Sequence, residues 1–70
     1  MVLTLKAARI NAGLTQKEAA EALGVTDITL HNWEKGNRIP NTKNVIKIMK
    51  LYNIESFNDL IFIEQELNKN

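Results

Sequence analysis

Apolar positions along the chain recur at three- and four-residue steps, and no stretch alternates apolar and polar residues long enough for a strand. Gly13, Gly24 and Gly36 each follow such an amphipathic stretch, where the residue after a helix takes a positive φ. Thr4 opens a first helix that ends near Ala12. Thr15 reads as an N-cap, with Glu18 three residues on completing a capping box, for a second helix through Leu23. Thr26 caps a third helix ending near Lys35. Pro40 stops any continuation, and Asn41 or Thr42 caps a fourth helix to about Tyr52. Ser56 caps a fifth, whose stripe Phe57, Leu60, Ile61 has helical spacing. The links Gly13-Leu14 and Gly24-Val25 are too short for anything but helix-to-helix turns. The expected fold class is all-α, five short helices around one core.

The second and third helices carry the most information. Ala20 lies four residues after Gln16, and Gly24 four further on. Leu30 and Trp33 follow Gln16 by fourteen and seventeen residues. Two steeply crossing helices need a small residue where their backbones approach, and Ala20 supplies it. Gly24 permits the left-handed turn between them. Leu30 and Trp33, three apart, lay one face of the third helix on the core. This is a helix-turn-helix arrangement.

Composition narrows the function. A chain of 70 residues is one domain. It has no Cys and one His, so neither a disulfide framework nor a zinc cluster is expected. The hydrophobic fraction of 44% suffices for a core, with a thin margin of stability at this size. The longest apolar run, Leu60-Ile61-Phe62-Ile63, is far short of the ~20 residues that span a bilayer. Lys6 and Arg9 interrupt any signal-peptide h-region, so the expectation is a soluble cytoplasmic protein. Catalysis finds no support: Ser56 is the only Ser, and the glycines form no phosphate-cradling loop. The net charge of +1 hides an asymmetry. Residues 1–50 carry eight basic side chains against four acidic ones, whereas 51–70 carry Lys69 against Glu55, Asp59, Glu64 and Glu66. A polyanion-facing part and a tail facing elsewhere follow.

Arg9, Gly13-Leu14-Thr15-Gln16, Ala20, Leu23-Gly24-Val25-Thr26 and Trp33-Glu34-Lys35-Gly36 with Arg38 and Pro40 together resemble the Cro/repressor-type (Xre-type) helix-turn-helix domains of the lambda-repressor-like fold. The resemblance covers about residues 3–61. It implies a five-helix DNA-binding domain, usually dimeric, that regulates transcription, with no cofactor. It also implies an ion pair between Arg9 and Glu34 across the first and third helices. The expected division is a helix-turn-helix domain over 1–61 and an extension over 62–70 that continues the last helix.

The third helix can be read on its own. At about 100° per residue from Asp27, Leu30 and Trp33 fall near 300° and 240° and define the core direction. His31, Lys35, Ile28 and Asn32 fall between about 40° and 140°, with Asp27 at the edge. A helix of this diameter fits the major groove, where Asn32 suits adenine, Ile28 a thymine methyl, and Asp27 a cytosine amine. His31 suits a base acceptor or a phosphate. The resemblance implies base contacts at Asp27, Ile28 and Asn32, and phosphate contacts at Gln16, Thr26, Asn37 and Arg38. Lys17 and Lys35 are further phosphate candidates, and Gln16 is expected to point outward at the start of the second helix.

Phe62 and Ile63 point away from the expected fifth-helix stripe. They are candidates for a two-fold dimer contact or for docking another regulator. Expected partners are a double-stranded DNA operator and a second copy of the chain. The alternative is an antirepressor or antitoxin-like protein that binds another repressor.

Overall fold

The computed structural model describes residues 3–56 and 60–61. In chain order these form β1 (Leu3–Thr4), α1 (Leu5–Asn11), α2 (Gln16–Leu23), α3 (Asp27–Lys35), α4 (Thr42–Tyr52) and β2 (Leu60–Ile61). Each helix starts at an expected cap. Thr4, Thr15, Thr26 and Asn41 are all extended, and each accepts a backbone N–H three residues on. At Thr15 the box is complete: its hydroxyl accepts from Glu18 N–H, and the Glu18 carboxylate accepts from Thr15 N–H at 2.9 Å.

All four helices end in one motif. Leu14, Val25, Asn37 and Ile54 donate their backbone N–H five residues back, to Arg9, Ala20, Asn32 and Met49. This is the Schellman closure, which needs a left-handed residue just before the donor. Gly24 fills that role between α2 and α3 at φ 76°. After α4 the role falls to Asn53 at φ 60°, the side chain best suited after glycine. Three of the four donors are apolar and half-buried, sealing the core. The exception, Asn37, is exposed, so the turn after α3 opens to solvent.

The core is Leu5, Ala8, Ala19, Ala20, Leu23, Leu30, Trp33, Ile48 and Tyr52. Ala19 and Ala20 are both fully buried, which lets α2 lie close to its neighbours. Trp33 is buried beside Leu30, as their shared face requires.

The expectation of a fifth helix does not hold at Leu60 and Ile61. There the chain is extended and pairs in parallel with β1, in the register Leu3 to Leu60 and Thr4 to Ile61. The described residues therefore hold four helices and one two-residue pairing. A short apolar run with a β-branched member does not distinguish helix from strand by spacing alone. What decides is the partner: the extended lead into the Thr4 cap presents an open backbone edge. Phe57, Phe62 and Ile63 lie outside the described residues.

Tyr52 brings a hydroxyl into the core with no hydrogen-bond partner among the described residues. Burial, and then the negative charge of Glu34, push its pKa up from 10 to about 12, against an opposing effect of Arg9. A raised pKa favours the folded state below the unfolded value and withdraws that support as pH climbs through the folded one. Stability should therefore hold up to pH 10 and fall by about 2–3 kcal/mol by pH 12. Tyr52→Phe should remove this alkaline loss and melt no lower than the parent at neutral pH, since an unsatisfied hydroxyl disappears. Tyr52 is the only tyrosine, so tyrosinate absorbance reports it directly. Ionisation near pH 10 in the folded protein would contradict the assignment.

Candidate nucleic-acid interface

A buried ion pair fixes the position of α3. Arg9 Nε donates to Glu34 Oε2 at 2.7 Å, and Nη2 donates to Glu34 Oε1 at 3.3 Å. Arg9 Nη1 donates to the Leu14 carbonyl at 3.0 Å, and Gln16 Nε2 donates to Glu34 Oε1 at 3.2 Å. One cluster thus ties α1, the turn after it, the start of α2 and the last turn of α3. Both charges are almost fully buried, so the planar guanidinium-carboxylate fit sets the geometry. Gln16, expected to point outward, is half-buried and turned onto Glu34. The reason is that Glu34 Oε1 needs a second donor once it leaves water.

With Leu30, Trp33 and Glu34 turned inward, α3 presents Asp27, Ile28 and Lys35 outward. Ile28 is 73% exposed, a large apolar side chain in solvent on a charged face. His31 is exposed beside Lys35, whereas Asn32 leans to the other side. His31 falls on the Glu34 side and borders a cleft of about 260 Å³ with Lys6, Arg9, Gln16, Glu34 and Lys35. Asn32 is half-buried on the Thr29 side. It borders a cleft of about 460 Å³ bounded by Trp33, Arg38, Pro40 and the start of α4 at Asn41 and Asn44. The Asn32 carbonyl accepts the N–H of both Asn37 and Arg38, and its side-chain oxygen faces Asn37 Nδ2 at 3.4 Å. The outward side of α3 is therefore a ridge with a cleft on either side.

The remaining candidates lie around the ridge. Lys17, Thr26, Asn37 and Arg38 are exposed. The Thr26 hydroxyl is engaged locally, accepting Thr29 N–H and donating to Thr29 Oγ1 at 2.9 Å. Residues 35–54 hold Lys35, Arg38, Lys43, Lys47 and Lys50 and not one acid. Lys6, Ile39, Asn41 and Asn44 border the clefts although the sequence marks none of them as an interface candidate. Lys6 comes from another helix and the others from a loop and the next helix start, so no local periodicity marks them.

Comparisons with known proteins bear on the family of the chain. The helix-turn-helix family model matches residues 5–60. The HTH-type transcriptional regulator ImmR of Bacillus subtilis (strain 168) is 42% identical over 65 residues, 93% of this chain. The chain spans half the length of that relative. No solved structure matches it significantly. The chain belongs to the Cro/repressor-type, or Xre-type, helix-turn-helix family. No helix among the described residues is long and apolar enough to cross a membrane.

Proposed function

We propose that the protein is a sequence-specific double-stranded DNA-binding regulator, a small dimeric repressor that reads the major groove with α3 and acts by occupying its operator. The observation that carries this is the ridge of α3. Its outward side chains are small enough to enter a groove, and Ile28 stands in solvent with nothing among the described residues to cover it. Base edges are the work of Asp27, Ile28 and Asn32. Backbone phosphates are the work of Gln16, Lys17, Thr26, Lys35, Asn37 and Arg38. The acid-free segment 35–54 and the family membership support the same polyanionic partner.

Selection of bound duplexes from a random pool by the purified protein tests the reading. A single enriched motif is expected, with affinity that falls steeply with salt. Arg38→Ala should weaken binding to selected and random duplexes alike and lower the salt slope by about one unit. An unchanged slope would remove Arg38 from the interface.

Dimerism follows from the need to read two half-sites about 34 Å apart. Phe62 and Ile63 are the proposed contact, tested by the sedimentation of a Phe62→Glu, Ile63→Lys variant and its operator affinity. A second reading, a protein that binds another regulator, is favoured by an apolar hollow on α4 formed by Ile46, Met49 and Ile54. Retention on DNA that does not change with salt would favour it.

A further inference from the structure

The cleft on the α1 side of α3 is more than a flank of the reading surface. Its floor is the Arg9–Glu34 pair with the Gln16 amide, and the pair's charges cancel. Its rim is Lys6 from α1 and His31 and Lys35 from α3, all exposed. His31 and Lys35 are one helical turn apart, so they stand on the same side of α3. Among the described residues none of the three rim side chains is held in an ion pair or hydrogen bond. Among the described residues the only carboxylate facing the cleft is Glu34, and it is already bidentate to Arg9. The cleft therefore offers up to three cationic donors from two helices, converging over a neutral floor, beside the ridge.

We propose that this cleft is the seat of one DNA backbone phosphate, held by Lys6, His31 and Lys35, with His31 engaging it as the imidazolium. The proposal rests on the DNA-binding reading above. It moves His31 from base reading to backbone holding, and it brings in Lys6. It also couples binding to protons. An anion beside the ring favours its charged form, so DNA binding takes up a proton and tightens as pH falls. The other groups facing the cleft are Lys6 and Arg9 from α1, Gln16 from α2, and Glu34 and Lys35 from α3. None of these side-chain types ordinarily changes charge between pH 6 and 8.

The test uses the full chain and a duplex taken from the selection, with affinity measured at pH 6 and pH 8 over a range of salt. Wild type should bind several-fold more tightly at pH 6. His31→Gln should lose that difference while keeping the parent's preference for the selected over a scrambled duplex. Lys6→Gln should lower the salt slope by about one unit. All three rim residues are exposed, so each variant should melt like the parent. A pH difference that survives in His31→Gln, or a lost sequence preference in that variant, would overturn the seat. Ring resonances of His31 separate the two sources of phosphate. The duplex should move them, and inorganic phosphate at matched ionic strength should not. Saturable movement with inorganic phosphate and none with the duplex would assign the cleft to a free anion and overturn the proposal. Binding by wild type that ignores both salt and sequence would instead sink the DNA-binding reading itself.

Discussion

Glu34→Ala is expected to lower stability by about 3–5 kcal/mol, one of the largest losses a single substitution can cause in this chain. The substitution strands the Arg9 guanidinium in a site that is almost fully closed to water. It also removes the acceptor of Gln16 and loosens the joint between α1, α2 and α3. A domain of this size has only about 4–10 kcal/mol in total, so the loss takes a large share. Removing both charges together should be milder, because no buried charge is left unpaired. Arg9→Met with Glu34→Leu keeps volume and apolar contact and should recover much of the loss. Urea unfolding followed by circular dichroism measures all three proteins. A single variant within about 1 kcal/mol of the parent would mean the pair is not closed off from solvent. A second readout is Tyr52, whose raised pKa owes part of its shift to Glu34. In any Glu34→Ala protein that stays folded it should ionise at a lower pH.

The helices were legible because each is bounded by local chemistry. Thr4, Thr15, Thr26 and Asn41 hold their own backbone N–H groups, and Gly13, Gly24 and Gly36 take the left-handed turn wherever they occur. Neither effect needs a partner from elsewhere in the chain. Leu60 and Ile61 depart from the helical expectation for the opposite reason. Their conformation depends on Leu3 and Thr4, more than fifty residues away, and spacing within the segment contains no trace of that edge.

The candidate interface was legible to the same extent. Angles around α3 separated Leu30 and Trp33 from Ile28 and Lys35 correctly, because burial follows angle within one helix. They did not reveal that His31 and Asn32 border different clefts, since the walls come from α1 on one side and the loop to α4 on the other. Gln16 departs from its outward expectation likewise: its partner is a carboxylate eighteen residues on, whose burial only the assembled fold creates.

Asn32→Ala is expected to weaken binding to the selected duplex by roughly 1–3 kcal/mol and to leave binding to random duplex nearly unchanged. An asparagine amide can donate to adenine N7 while its oxygen accepts from the adenine amine. That pairing needs the amide plane fixed, and Asn32 is half-buried against the turn after α3. Its side-chain oxygen lies 3.4 Å from Asn37 Nδ2, a long contact that orients the amide and leaves a lone pair for the base. Asn37→Ala should therefore combine a smaller loss of the same kind, through the freedom it gives Asn32, with a uniform loss on all duplexes from its own phosphate contact. Arg38→Ala should produce a different kind, falling on all duplexes equally. A panel of single-base variants of the selected duplex distinguishes these patterns. With Asn32→Ala the preference should flatten at one base pair and persist at the others. Equal weakening on selected and random duplexes would show that Asn32 holds the backbone or the fold, and would remove it from base reading.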